Sequence, residues 1–391
     1  MSRKKCFFAE NNSVRLKKTL AMLSSVPDFR VRGRTKHPLA TVLTIAAMSI
    51  AAGGEGARDM EDFGLRHLEE LRTFLPMSYG VPSHDTFTRV LSKLDPRVLD
   101  ATVTLWLEHG GINLEGKVIS FDGKASRRTG TDDRPCSHTV SAWADDLNLV
   151  LSHENVAEKS NEITAMPKIV KRLGSKILKG AIVTADAMGC QREIARAIDD
   201  VGAYWLLALK GNQETMFNEV KLFMDDLSKA TDRKFEDSVT LTKHHTVEKD
   251  HGRIEERTCW VSADTEWFQD KAKWPGLCRF VMVNSKRMVK GVTSEERRYY
   301  ISSFHGDAES LGRYVRKHWG IENRLHWVLD VVFGEDYSRG RTGNLAENLT
   351  ALRHLALALL RRNGEGDLGP KRMRKNCAWD FKLLKRVFTG E

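Results

Sequence analysis

The stretch Val118–Lys124, VISFDGK, carries an apolar run that ends at Asp122. A second run, Ala181–Ala187 (AIVTADA), ends in the same way at Asp186. Continuous apolar runs of this kind are typical of buried strands, so each carboxylate is expected at the carboxyl end of a strand. That edge of the sheet is where α/β proteins bind their ligands. Taken singly, each aspartate could equally be a turn residue, for which Asp is common.

A third acidic residue, Glu322, lies in the helix-like stretch His318–Trp327, HWGIENRLHW. Its neighbours at four-residue spacing are His318, His326 and Asp330. In a helix these form one stripe that drifts by roughly 40° per step. We expect His318 or His326 to orient a ligand or contact a phosphate, and Asp330 to lie behind the ligands. The alternative is a polar seam between helices that does no chemistry.

Asp122, Asp186 and Glu322 together have the composition of a magnesium site. Mg²⁺ prefers oxygen ligands and is typically held by a few carboxylates together with substrate phosphates. Two ions about 3.5–4 Å apart clamp the attacking and leaving oxygens of a phosphoryl displacement. We therefore predict that the three carboxylates are catalytic and hold two Mg²⁺ ions, for which Mn²⁺ can substitute.

The order of elements around these residues predicts the fold. From residue 111 the pattern alternates between strands and helices in the order β-β-β-α-β-α-β, which is the order of the ribonuclease-H-like fold, an α/β class. The strands and helices are predicted at Val118–Asp122, His138–Ala144, Asn148–Glu154, Ile163–Leu173, Ala181–Asp186, Gln191–Val201 and Ala203–Leu209.

Three further regions complete the predicted organisation. Residues 1–110 show helical periodicity and capping signals, which indicate an all-α module. Residues 111–362 form the catalytic domain, with a β-rich insertion at about 212–302 that precedes the helix of Glu322. Residues 363–391 are rich in Gly and then basic, and we expect a tail that is either an arm for DNA or disordered. The insertion strands are predicted at Phe235–His245, Ile254–Ser262, Leu277–Ser285 and Arg297–Ser303.

Composition narrows the class of partner and the compartment. The 391 residues carry a net charge of +10, which favours a polyanionic partner but does not by itself establish one. The six cysteines include no CxxC pair, which favours a reducing compartment over a zinc site or disulfide framework. No apolar stretch is long enough to span a membrane, and no signal peptide is evident. We expect a cytoplasmic protein associated with the nucleoid.

Several basic and polar residues near the predicted strand ends are candidates for phosphate contacts. Each of them could equally be a solvated loop residue. Three tryptophans, Trp205, Trp319 and Trp327, are expected in the core rather than as platforms for base stacking. The candidates for DNA contacts are Lys124, Arg127, Arg128, Lys210, Asn212, Arg253 and Arg324.

Five stretches in the same chain resemble the H-repeat-associated transposases of Rhs elements, a branch of the DDE transposases. The resemblance extends over about residues 10–362. The stretches are Phe121–Lys124, Asp186–Gln191, Leu209–Gln213, His251–Arg257 and His318–Asp336.

The resemblance implies a ribonuclease-H-like core, two divalent metal ions, and Asp122, Asp186 and Glu322 as their ligands. It also implies cleavage at the ends of an element and transfer of the freed 3′-hydroxyl into target DNA. The partners would be double-stranded DNA, both element ends and target, and a second copy of the chain on that DNA; no membrane partner is expected. A nuclease without strand transfer and an inactive DNA-binding remnant remain alternatives.

One departure from better-known relatives bears on mechanism. Those relatives carry Tyr and Arg seven and four residues before the glutamate, and Lys seven residues after it. The corresponding positions here are Val315, His318 and Leu329. A mechanism through a DNA hairpin that depends on that signature is therefore not supported.

Overall fold

One mixed sheet organises the part of the chain that the computed structural model describes, residues 19–31, 33–109, 112–130, 135–156, 162–231, 240–250, 253–363 and 368–389. Its strand order is β3-β2-β1-β4-β5-β9-β8-β7-β6. The strands are β1 (Val118–Ser126), β2 (Ser137–Ala144), β3 (Leu149–Val156), β4 (Ile182–Ala185), β5 (Tyr204–Leu209), β6 (Leu241–Asp250), β7 (Arg253–Ser262), β8 (Arg279–Val289) and β9 (Val292–Ser302).

Helices cover both faces of this sheet and form a separate layer beside it. The first, α1, is described over residues 19–24. The others are α2 (Leu39–Ala51), α3 (Ala57–Arg66), α4 (Leu68–Arg72), α5 (His84–Lys93), α6 (Pro96–His109), α7 (Glu162–Leu178), α8 (Arg192–Asp200), α9 (Glu214–Thr231), α10 (Ala308–His318), α11 (Trp327–Val331), α12 (Leu345–Asn363), α13 (Pro370–Trp379) and α14 (Phe381–Thr389).

Strands β1 to β5 have the ribonuclease-H-like arrangement, which confirms the predicted fold. β1, β2 and β3 pair antiparallel, whereas β4 lies parallel to β1 and β5 lies parallel to β4. Phe121 of β1 is paired with Ala185 of β4. Asp122 and Asp186 therefore directly follow the last residue pair between β1 and β4, side by side on the two strands.

Alternation along β1 determines which side of the sheet Asp122 faces. Ile119 and Phe121 belong to the core beneath α7, α8 and α9, whereas Val118 packs in the core beneath α10. Successive side chains of a strand point to opposite faces. Asp122 is therefore on the α10 face, as is Thr184 by the same argument on β4.

The β-rich insertion continues the core sheet rather than forming a separate layer. β9 pairs antiparallel with β5, and β8, β7 and β6 follow outward as an antiparallel meander. A two-residue turn joins β8 to β9, with φ of 49° at Lys290 and 79° at Gly291. Two successive positive φ angles are required by a type I′ hairpin turn, and glycine adopts one without steric cost. The predicted insertion therefore extends the sheet by four strands.

The N-terminal helices share one hydrophobic core with the C-terminal helices. α2 is buried along almost its whole length and packs against α12. Leu384, Val387 and Phe388 of α14 are also buried in this core. The prediction of a basic tail is therefore wrong for residues 370–389: their basic residues alternate with apolar ones at helical spacing, and the apolar face is covered. None of the described helices is both long and apolar enough to cross a membrane.

Candidate metal and nucleic-acid site

Asp122 lies where β1 leaves the fully buried part of the sheet. Its side chain is 17% exposed, and its Oδ1 accepts a hydrogen bond of 2.9 Å from the backbone N–H of Gly123. A Cβ at Gly123 would lie 2.3 Å from Glu162 Oε1 and 2.6 Å from His138 Nε2. Those two buried side chains contact each other at 2.6 Å. Glycine at this position therefore allows a buried polar pair to pack directly behind Asp122.

A π-helical turn, Ile321–His326, lies between α10 and α11 and carries both Glu322 and His326. The sequence predicts a continuous helix here. Single π-turns are rare and are frequent at functional sites. The preceding Gly320 lies against the β2–β3 turn, where a Cβ would come within 2.0 Å of Asp145 Oδ1. The π-helical turn is therefore fitted closely against the sheet.

Asp122, Glu322 and His326 form one compact group, which we call the Asp122 cluster. His326 Nδ1 lies 3.5 Å from Asp122 Oδ2 and 3.6 Å from Glu322 Oε2. Each residue offers one ligand atom, and these atoms all lie within 4.8 Å of one another. Two carboxylate oxygens and an imidazole nitrogen are ligands for divalent metal ions. The cluster could therefore hold such an ion.

Burial and crowding of like charges shift the protonation of the two carboxyl groups. Burial, the charge of Glu322 and, to a smaller extent, that of Asp186 raise the pKa of Asp122 to about 8. The pKa of Glu322 is lowered to about 2, chiefly by the neighbouring His326 ring. The pair therefore retains one proton at neutral pH when no cation is present, because two ionised carboxylates at this separation repel each other.

Asp186 is not part of the Asp122 cluster. Its side chain is exposed, and its Oδ1 accepts hydrogen bonds from the backbone N–H groups of Met188 (3.0 Å) and Gly189 (3.3 Å). The carboxylate is therefore directed into its own loop. Because Phe121 pairs with Ala185, residues 122 and 186 lie side by side on neighbouring strands. The assignment of Asp186 as a third ligand stays a prediction.

Two residues after β5 hold the loop that contains Asp186. The Asn212 side-chain amide donates to the backbone carbonyl of Ala187 at 2.6 Å, and that of Gln213 donates to the carbonyl of Cys190 at 3.1 Å. Asn212 is predicted to contact DNA; in this structure its amide instead positions the loop of Asp186.

His318 is directed at the sheet and not at the Asp122 cluster. Its Nδ1 lies 3.0 Å from Thr184 Oγ1. Burial lowers the pKa of His318 to about 4, so the ring is neutral at physiological pH. The ring therefore joins α10 to β4, and of the two histidines predicted to orient a ligand or contact a phosphate only His326 lies in the Asp122 cluster.

Lys124 forms an ion pair with the half-buried Asp330, which changes the role predicted for the lysine. Lys124 Nζ lies 2.6 Å from Asp330 Oδ1, 3.4 Å from Glu335 Oε2 and 3.5 Å from Asp336 Oδ1, and the lysine side chain is only 10% exposed. The prediction that Lys124 contacts DNA is therefore wrong for this conformation. Asp330 pairs with Lys124, and its place behind the metal ligands stays a prediction.

The remaining candidates for DNA contacts are distributed over three regions. Arg127 and Arg128 are exposed after β1, where Arg127 pairs with Asp336 at 3.4 Å and the Arg128 guanidinium lies 4.9 Å from the centre of the Tyr337 ring. Lys210 is exposed at the end of β5. Arg253 and Arg324 belong to a groove on the α10 face of the sheet.

This groove, which we call the cationic groove, runs between the insertion strands and α10 with the π-helical turn. Trp319, Gly320, Asn323 and Arg324 line one side, so the groove reaches the turn that carries Glu322. Its cationic side chains outnumber its acidic ones by seven to three. They are Arg253, Arg257, Arg287, Arg298, Arg316, Lys317 and Arg324, with Asp145, Glu255 and Glu296 as the acidic residues.

Two of the three tryptophans predicted for the core are exposed near the Asp122 cluster. Trp205 is buried as expected, but Trp319 is 38% exposed and Trp327 is 56% exposed. The guanidinium of Arg298 lies 4.5 Å from the centre of the Trp319 ring. The prediction was wrong for these two because helical spacing does not show which side of a helix faces a groove.

A ribonuclease-H-like sheet with this acidic site at the carboxyl ends of its strands defines the class of DDE-type proteins. Residues 94–359 match the family described as "Transposase DDE domain", and residues 20–107 match that described as "DDE_Tnp_1-associated". The chain belongs to the transposase DDE domain family.

Curated relatives match nearly the whole chain. The "H repeat-associated putative transposase YhhI" of Escherichia coli K12 is 34% identical over 96% of this chain and 98% of its own. The "Putative transposase YncI" of Escherichia coli O157:H7 is 36% identical over 95% of this chain and 94% of its own. The resemblance found in the motifs is thereby confirmed. Among solved structures, a piggyBac transposase synaptic complex with hairpin DNA aligns with 98% of this chain and 79% of its own, at 12% identity and a TM-score of 0.40.

Proposed function

We propose that this protein cleaves DNA at the ends of a mobile element and joins the freed 3′-hydroxyl to target DNA. The observation that carries the proposal is the Asp122 cluster, which lies at the edge of the sheet next to Asp186 in a chain of the transposase family. Bound divalent cations, two Mg²⁺ or Mn²⁺ ions, would stabilise charge on the attacking and leaving oxygens. Asp122, Glu322 and Asp186 are the carboxylates that we assign to hold them.

The reaction proceeds as two phosphoryl displacements. A water oxygen forms a bond to the scissile phosphorus, and the bond to the 3′-oxygen breaks to leave a 3′-hydroxyl. That hydroxyl then attacks a phosphate of the target, and the displaced target 3′-oxygen leaves. Neither step requires a covalent bond to the protein. The role of this chain is therefore to hold the reacting groups in line and to place charge around them.

We propose that the cationic groove binds the DNA that flanks the scissile phosphate. Many of its cations already have carboxylate partners, such as Arg298 with Glu296 at 2.8 Å. Arg287 is exposed and has no carboxylate within ion-pair distance among the described residues. Arg324 is 54% exposed and lies 3.5 Å from Asp145. These two arginines are the best placed to neutralise phosphates, which releases counterions.

Trp319 offers the groove a contact that does not depend on charge. We expect Trp319→Ala to weaken DNA binding by about 1–3 kcal/mol, the range found for a base stacked on an aromatic side chain. Fluorescence anisotropy with a labelled element end measures the affinity. The matched control is Trp379→Ala, which removes a 79% exposed tryptophan from α13, outside the groove. Equal affinities for the two variants would show that Trp319 makes no contact with the DNA.

The requirement to hold two element ends together favours a homodimer on DNA. Analytical ultracentrifugation with and without an element-end duplex tests this proposal, and a complex with one protein chain at saturating DNA would contradict it.

The function itself is tested with a plasmid that carries a candidate element end, incubated with Mg²⁺ and either the wild type or Glu322→Gln. Cleaved and joined products with the wild type alone would support the proposal. Cleavage without joining would indicate a nuclease that shares the core. If both proteins bind but neither cleaves, on DNA ends from a related element that is known to be mobile, the protein would be an inactive remnant. One relative, named "Inactive transposase YbfQ", is 37% identical over 20% of this chain.

A further inference from the structure

The Asp122 cluster includes an imidazole that a purely carboxylate site would not need. His326 is 6% exposed, and its Nδ1 is almost equidistant from Asp122 Oδ2 (3.5 Å) and Glu322 Oε2 (3.6 Å). These separations exceed a normal hydrogen bond. The three ligand atoms lie within 4.8 Å of one another, a spacing that one bound cation can bridge. The imidazole nitrogen therefore has the position of a ligand atom.

The other nitrogen of the same ring faces a polar interior. His326 Nε2 is buried without a hydrogen-bond partner among the described residues. A small cavity next to it is lined by polar groups that include Ser141, Thr350 and His354, and the Nδ1 of His354 is also buried without a partner. A polar cavity of this kind accommodates a bridging water. Histidines that bind metals almost always donate the second ring N–H to such an acceptor, which fixes the tautomer.

We propose that His326 binds the divalent cation directly through Nδ1, so that the site is a mixed carboxylate–imidazole centre with a preference for Mn²⁺ over Mg²⁺. The inference rests on the proposed metal-dependent function and adds a ligand to it. Oxygen ligands suit Mg²⁺, whereas an imidazole nitrogen favours transition-metal ions. The π-helical turn carries both His326 and Glu322, and their ligand atoms lie on the same side of it, next to Asp122.

A second role for His326 predicts the opposite effect on metal affinity. As an imidazolium it would bridge the two carboxylates and compete with a cation for the same space. Removal of the ring would then strengthen metal binding. Removal of a true ligand weakens it instead, so the sign of the change separates the two roles.

The test is a titration of the full-length protein with Mn²⁺, followed by electron paramagnetic resonance, with Mg²⁺ as the competitor. We expect His326→Gln to lower Mn²⁺ affinity at least tenfold, since even partners behind metal ligands typically contribute about 10–100-fold. The preference for Mn²⁺ over Mg²⁺ should shrink in the same variant. Bound Mn²⁺ should show a ¹⁴N hyperfine coupling in the wild type that His326→Gln lacks.

The matched control is His318→Asn, which removes the imidazole one helical turn earlier, where Thr184 is the partner of His318. The Mn²⁺ affinity of this variant should stay within about threefold of the wild-type value, less than half a unit of pKd. The nitrogen coupling is read from the wild type alone, so the test survives if a variant does not fold. An absent coupling, or an unchanged or tighter affinity in His326→Gln, overturns the inference. If Asp122→Asn loses Mn²⁺ while His326→Gln does not, this inference fails and the proposed function stands. A wild type that binds no Mn²⁺ overturns both.

Discussion

Asp122→Asn is expected to abolish DNA cleavage while DNA binding is retained. Asp122 is the most enclosed carboxylate of the site, and an amide cannot replace its charge in a cluster that holds a cation. The loss of several kcal/mol of transition-state stabilisation corresponds to a rate reduced about 10³-fold or more. A cleavage assay with Mg²⁺, beside a binding titration on the same DNA, measures both quantities.

The control for this substitution is Asp226→Asn, which removes an exposed carboxylate on α9 that pairs with Lys229. It should cleave like the wild type. Full cleavage by Asp122→Asn would show that the assigned site is wrong, and loss of both binding and cleavage would point to misfolding instead.

Asp122→Asn should also stabilise the folded protein when divalent cations are removed. The pKa of Asp122 is about 8 in the folded chain, against about 3.9 for an unfolded aspartate. Between these values the folded state binds more protons than the unfolded state, so the free energy of unfolding falls as pH rises from about 4 to 8. The neutral amide of the Asp122→Asn variant avoids this cost, which amounts to several kcal/mol at pH 8 for a difference of about four pKa units. Urea unfolding in EDTA should show the advantage at pH 8 and its disappearance near pH 4.

Glu335→Gln is expected to destabilise the protein by about 3–5 kcal/mol, because it breaks a buried charge network. Glu335 is 1% exposed and lies 3.5 Å from Arg353, which is 3% exposed. It also accepts a hydrogen bond of 2.8 Å from Thr350 and lies 3.4 Å from Lys124. The amide would leave Arg353 buried without a compensating charge. Urea unfolding at pH 7 measures the loss.

Asp336→Asn is the matched control, since Asp336 contacts the same lysine at 3.5 Å but is 22% exposed. A partly exposed pair contributes about 1 kcal/mol or less. Equal losses for the two variants would contradict the role of burial.

Local pattern was sufficient for much of the fold. The apolar runs before Asp122 and Asp186 predict strands because a buried strand needs apolar residues on both faces. The hairpin of β2 and β3 was also predicted from its sequence, and its turn is made by Asp145–Leu147 with Asn148 at a φ of 51°. These features depend on a few consecutive residues, so the sequence shows them directly.

The pairing of the insertion with β5 could not be predicted in this way. The strands β6 to β9 have the same local pattern whether they form a separate sheet or extend an existing one. The unpaired edge of β5 decides between these arrangements, because its backbone groups need partners. The C-terminal helices are a similar case: their basic residues suggested a tail, but the apolar face of α14 is covered by helices from the other end of the chain.

By itself, the sequence determined the strands, their order along the chain, the family and the three candidate carboxylates. Apolar patterns and short motifs are properties of neighbouring residues, so they can be seen without the fold. Only the tertiary structure showed that His326 joins Asp122 and Glu322 while Asp186 turns into its loop. It also showed that Lys124 is buried among acidic residues and that Trp319 faces a groove. Each of these depends on contacts between residues far apart in the chain, where packing and desolvation decide which polar groups meet.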